Sequence, residues 1–205
     1  MEDLSVIYET GAQAYAQQLF GDPPPDETLA RLAGALDGAQ VTVSVRRVGL
    51  FLALTHPWFE CYETSIRRDA DGGLYAYLHD VRKRSRDPKD VVIRAFLKQV
   101  RAAHELGLKR FELYAAGYAG DTKFSGYRFW PRLGFNAQFF QHERAKLPHE
   151  MATARDLNEL ILLPDGYEWW KKHGDERSMV FDLNKNSAMM NVFRLRLKAA
   201  GITEE

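Results

Sequence analysis

The stretch Leu74-Tyr-Ala-Tyr-Leu-His-Asp-Val81, running into the basic segment Arg82-Lys-Arg-Ser-Arg-Asp-Pro-Lys-Asp90, decides how the chain reads. Its first eight residues alternate: Tyr75, Tyr77, His79 and Val81 fall on one side of an extended chain, and Leu74, Ala76, Leu78 and Asp80 on the other. Past Asp90 the apolar spacing lengthens to three and four, at Val92, Phe96, Val100 and Ala103, which predicts a helix stopped at Gly107. Lys109-Arg-Phe-Glu-Leu-Tyr-Ala115 then alternates again, with Phe111, Leu113 and Ala115 inward. Strand, helix and strand of these lengths make a βαβ crossover, which joins two parallel strands.

Upstream, Val41, Val43 and Val45 alternate with polar residues, Leu50 to Thr55 forms a second apolar run, and Trp58 to Arg67 reads as a long strand after His56-Pro57. Asp69-Ala-Asp-Gly-Gly73 is a turn signal, so the strands flanking it form an antiparallel hairpin. Before them, Leu4, Tyr8, Ala12, Tyr15 and Leu19 have helical spacing; Gly21-Asp-Pro-Pro-Pro25 breaks it, and Asp26 caps a second helix, Glu27 to Leu36.

Downstream, Gly117 to Ser125 is loop, and Gly126-Tyr-Arg-Phe-Trp-Pro-Arg-Leu-Gly-Phe135 is a short aromatic helix with a glycine stop. There follow a strand at Asn136 to Gln141, helices near Ala152–Leu162 and Glu168–Lys172, a strand at Met179–Leu183 and a closing helix, Ala188–Ala199. The expected fold class is α/β in the α+β sense: a mixed, mostly antiparallel sheet with a central βαβ crossover. One domain covers 1–205, with its core over 41–141, a helical insertion over 142–178, and a strand and helix over 179–201.

The 28 basic and 28 acidic residues cancel, which argues against a nucleic acid backbone as the main partner, although a local basic patch stays open. The acidic start lacks the plan of a signal peptide and the apolar runs are too short to span a bilayer, so the expectation is a soluble, cytoplasmic protein with no membrane partner. The single cysteine, Cys61, allows neither an internal disulfide nor a multi-thiolate metal site, and no metal is expected.

The order of elements, together with Leu106-Gly-Leu-Lys-Arg-Phe-Glu-Leu113 and the matched positions Phe129, Trp130, Arg132, Gly134 and Phe135, resembles the GNAT superfamily of N-acetyltransferases over Val41 to Gln141. The resemblance implies transfer of an acetyl group from acetyl-CoA to a primary amine of a small molecule or protein. It also implies that Val81, Arg84, Arg86, Lys89, Trp130 and Arg132 contact the cofactor, and that Asp80 or Glu63 serves as base and Tyr127 as acid. Two departures stand out. The turn Arg84-Ser-Arg-Asp-Pro-Lys-Asp-Val91 has none of the family's glycines, which let backbone N–H groups approach a diphosphate. Trp130 stands where the family often has its acidic tyrosine, and an indole N–H is a donor but not a usable acid.

Each of these residues also has a plainer reading: a solvated turn for Arg82 to Asp90, an arginine-paired strand end for Asp80, and core packing for Phe129 and Phe135. Trp169-Trp170 beside Lys171-Lys-His173 offers a contact surface or simply a helix anchor. The alternative function is therefore a catalytically silent fold of this type acting as a protein- or ligand-binding module.

Overall fold

A computed structural model of the chain describes residues 4–47, 49–84, 88 and 90–203. The described residues contain seven strands and eight α-helices, an α+β protein with a mixed sheet. They divide into two compact units, the first running to Phe111 and the second over Glu112–Thr203. None of the helices among the described residues is long and apolar enough to cross a membrane.

The first unit contains β1 (Ser5–Tyr8), α1 (Ala12–Phe20), α2 (Asp26–Leu32), β2 (Gln40–Arg46), β3 (Gly49–Thr55), β4 (Phe59–Arg68), β5 (Leu74–Lys83) and α3 (Val91–Glu105), and β6 (Arg110–Ala115) begins in it. β2 to β5 form an antiparallel meander, while β1 lies parallel to β2. The helical spacing of Leu4 to Leu19 is therefore misleading in its first part. Gly11, at φ 80°, turns the chain, and Val6 and Ile7, whose branched side chains favour an extended backbone, pair with Val41 and Thr42.

The crossover starts as the sequence predicts. Asp69 accepts the Gly73 N–H at 2.7 Å and pairs with Arg110 at 3.0 Å, and the Lys109 N–H donates to the Leu74 carbonyl at 2.8 Å. The start of β5 and the residue before β6 are thus tied together. The Arg110 guanidinium, through its hydrogen bond, holds the Asp69 carboxyl below the usual range.

One face of the first unit's sheet receives the helices. Gln99 of α3 is fully buried and accepts the Tyr62 hydroxyl at 2.7 Å, while its amide donates to the Leu32 carbonyl of the α2 end at 2.8 Å and to Thr64 at 3.1 Å. Around this polar knot lie Ile66, Ala76, Leu78 and Phe96, all buried, with Phe96 edge-on to Phe111.

The second unit holds α4 (Gly126–Phe129), a 3-10 turn (Trp130–Leu133), α5 (Gln141–Arg144), α6 (Leu157–Leu162), α7 (Gly166–His173), β7 (Arg177–Asp182) and α8 (Ala188–Ala200). Pro131 falls at the start of the 3-10 turn, where its missing N–H costs nothing, and Gly134 ends that turn at φ 94°. A chain of rings, Trp130, Phe135, Phe181 and Phe193, fills the core at centroid spacings of 5.3, 5.4 and 5.8 Å. The stretch 142–178 is part of that core: Trp170 is fully buried and donates its indole N–H to the Tyr127 carbonyl at 2.8 Å, and Asn158 donates to the Gly134 carbonyl at 3.2 Å.

Asn136 to Gln141 is not the expected strand. Asn136 exchanges both backbone bonds with Val180 and Gln138 bridges to Asp156, but no ladder continues. The Asn136 side chain instead accepts the N–H groups of Ala137 and Asn158, and α5 begins directly after Phe140, whose N–H goes to Glu143. The helix expected from Ala152 starts at Leu157, because Asp156 accepts the Glu159 N–H at 3.0 Å and fixes the N-cap there.

Candidate functional site: the open face of the β4–β5 hairpin

The turn at Asp69 to Gly73 fixes the β4–β5 register as Arg68 opposite Leu74, Ser65 opposite Tyr77 and Thr64 opposite Leu78. Simple alternation then fails. His79 is an extra residue in β5, so Asp80 pairs with Glu63 and Val81 with Tyr62. Paired residues share a face, so the bulge moves Asp80 to the side of Tyr75, Tyr77 and His79, and turns Val81 towards the Tyr62 side. This corrects the strict two-residue reading of Leu74 to Val81. A second irregularity leaves Glu60 of β4 outside the register.

The face away from Gln99 therefore brings Glu63 and Asp80 side by side. Asp80 accepts from Arg82 at 2.9 Å. Cys61 lies opposite Arg82, half-buried; burial, then the charges of Asp80 and Glu63, push its thiol pKa up despite the Arg82 contact. The thiol is thus held protonated near neutrality and is a poor nucleophile.

Further along the same face, Arg67 donates to Ser65 at 2.9 Å, and His79 Nε2 lies 2.8 Å from Ser65 Oγ and 3.3 Å from Arg67. Arg67 and the Ser65 hydroxyl both offer protons to that nitrogen, so the network closes with a neutral ring carrying its proton on Nδ1. Burial, followed by the charges of Arg67 and Arg46, lowers the His79 pKa. The fold prefers neutral His79, so this contribution to stability is complete above the unfolded pKa of about 6.5 and is lost as pH falls below it. Urea melts at falling pH should show that loss, and His79→Gln should flatten it; an unchanged profile in the variant would assign the pH dependence to other groups.

The remaining expected residues are distributed as follows. Arg84 is exposed, and its N–H donates to the Trp58 carbonyl at 3.0 Å, prolonging the hairpin. Arg86 and Lys89 lie outside the described residues. In the second unit, Tyr127 is buried and donates its hydroxyl to the Lys171 carbonyl at 2.9 Å, a bond that must break before the group can act on anything else. Trp130 is buried edge-on to Phe129 and Phe135, and the Arg132 guanidinium sits 4.8 Å above the Tyr167 ring. Trp169 stacks on His173 at 4.5 Å, so this tryptophan pair packs its own helix.

Sequence reasoning missed the grouping of Ser65 and Arg67 with Tyr75, Tyr77 and His79. The signal was present: counting outward from the Asp69–Gly73 turn pairs these positions directly. Among the described residues no cluster of three or more His, Cys, Asp or Glu side chains could hold a metal ion. No family model and no curated protein matches the chain.

Proposed function

We propose that the chain is an N-acyltransferase-like enzyme of the GNAT type, transferring an acetyl group from acetyl-CoA to a primary amine of a small molecule or protein. The observation that carries this reading is the pair Glu63 and Asp80, set side by side by the β5 bulge on the strand that leads into the crossover helix. A protonated amine cannot attack a thioester, and a carboxylate within reach, directly or through one water, removes the proton. Either Glu63 or Asp80 fills that role.

For the cofactor, the exposed Arg84, with Arg86 and Lys89, supplies cations for a diphosphate, and Val81 precedes them on β5. The fit at the diphosphate is partial, since Asp90 places a carboxylate next to the start of α3 and Arg84 has spent its N–H on Trp58. Tyr127 is not essential as an acid, because a thiol of pKa about 8.5 leaves readily as thiolate.

Calorimetry with acetyl-CoA should give saturable heat, weakened about fivefold by Arg84→Ala, as expected for one charge-assisted contact of roughly 1 kcal/mol. Asp80→Asn or Glu63→Gln should slow amine-dependent thiol release about a hundredfold, with acetyl-CoA affinity retained. Absence of heat at millimolar acetyl-CoA would favour the second reading, a silent binding module. The hydroxyl of Tyr127 committed to Lys171 and the buried Trp130 support that second reading.

A further inference from the structure

On the same open face of the first unit, beyond the two carboxylates, cations lie over aromatic rings on neighbouring strands. The Arg46 guanidinium sits 3.4 Å from the centroid of Phe51, that of Arg67 4.3 Å from Tyr77, and that of Arg110 4.3 Å from Tyr75. The register places Phe51, Ser65 and Tyr77 in one row across β3, β4 and β5, and Arg67 beside Tyr75 in the next. The middle of the patch is low. Ser65 is buried beneath its neighbours, and Gly49 offers no side chain, its backbone packing so closely on Ile66 that an added Cβ would strike the Ile66 carbonyl. His79 closes one side, 4.9 Å from Tyr77 and 5.3 Å from Phe51.

Among the described residues Arg110 has a carboxylate partner in Asp69, but Arg46 and Arg67 form no salt bridge. Two guanidiniums held on one face with no carboxylate paired to either repel each other, and a bound anion turns that cost into attraction. The half-buried Tyr75 and Tyr77 rings, two residues apart on β5, lie under the Arg110 and Arg67 guanidiniums, and each cation–ring stack offers a flat surface to a base. We propose that this face binds a single-stranded nucleic acid, with a backbone phosphate between Arg46 and Arg67 and adjacent bases against the Arg67–Tyr77 and Arg110–Tyr75 stacks.

Three inter-strand steps from β2 to β5 span about 14 Å, the reach of a few nucleotides. An acidic peptide would satisfy the arginines but leave the rings unused. The chain's zero net charge does not oppose this assignment, because a phosphate senses charges within about one Debye length, roughly 10 Å, rather than the sum over all residues. Glu63 and Asp80 border the patch and repel phosphate, confining the strand to the Arg46 end of the face.

The test is fluorescence anisotropy of the full chain with labelled oligouridylate and oligothymidylate of about ten nucleotides, within the usual site size for such platforms. Log affinity should fall linearly with log salt concentration, and Arg46→Ala with Arg67→Ala should weaken binding about tenfold or more and lower the slope by about 1 to 1.5. Tyr77→Leu should cost about five- to a hundredfold without changing the slope, while Tyr77→Phe, which keeps the ring and the packing, retains binding. Lys171→Ala, in the second unit, should change nothing. The assignment fails if neither oligonucleotide binds at low salt, or if binding survives loss of both arginines. It fails equally if polyglutamate binds as tightly with no effect of Tyr77→Leu, or if acetyl-CoA displaces the oligonucleotide stoichiometrically.

Discussion

Arg177→Met should destabilise the second unit by about 3–5 kcal/mol, the range for stripping one partner from a buried ion pair. Arg177 and Glu143 are 4% and 1% exposed, and two guanidinium nitrogens engage the two carboxylate oxygens. Arg177 also donates to the carbonyls of Gln138 and Asp175 and lies over the rings of Phe140 and Trp170, at 4.2 and 4.7 Å. Methionine fills much of the volume but leaves the Glu143 carboxylate in a dry site with only the Phe140 N–H. Glu143→Leu alone strands the guanidinium and should cost a similar amount. The double change removes both charges and should recover a large part of the loss, because the penalty lies in an unpaired charge and not in the absence of a bond. Urea unfolding followed by fluorescence checks this, since Trp169 and Trp170 report on this unit. A loss under about 1 kcal/mol for Arg177→Met would mean the pair is wetter than its burial indicates.

Gln99→Leu should cost the first unit about 2–4 kcal/mol by orphaning three groups at once. The Tyr62 hydroxyl, the Thr64 hydroxyl and the Leu32 carbonyl all bond to the Gln99 amide, which is the point where α3, α2 and β4 meet. Leucine matches the volume and has better helix propensity, so packing and propensity predict little change. Hydrogen bonding decides the sign. Tyr62→Phe in the Gln99→Leu background should then be less costly than in the wild type, because its hydroxyl has already lost its partner. Strict additivity in chemical denaturation would show that the three bonds do not act as one network. Burial also raises the Tyr62 hydroxyl pKa, so this group stays neutral throughout the accessible range.

Much of the fold was legible because its signals are local. The alternation at Val41 to Val45, the turn at Asp69 to Gly73, the helical spacing of Val92, Phe96 and Val100, and the Gly107 stop all depend on neighbours within a few residues, and β2, β5, α3 and β6 fall where those patterns place them. β1 was not legible: four residues in extended form need the parallel partner at Gln40 to Val43, far along the chain, to satisfy their backbone groups. The same holds for Asn136 to Gln141, where a side chain, Asn136 Oδ1, takes the place of a strand ladder. The candidate site divides along the same line. Glu63 and Asp80 could both be named from the sequence as carboxylates on neighbouring strands, yet a single extra residue in β5 decides that they share a face.

The sequence by itself determined the residue inventory of the site, the hairpin that carries it and the helix that follows, since periodicity and turn chemistry are properties of short segments. Only the tertiary structure decided that Asp80 stands beside Glu63, that Tyr127 gives its hydroxyl to a carbonyl 44 residues later, and that Arg46 and Arg67 lie over rings on other strands. Those outcomes follow from register and burial, which depend on where distant backbone groups find partners, and no local pattern encodes that choice.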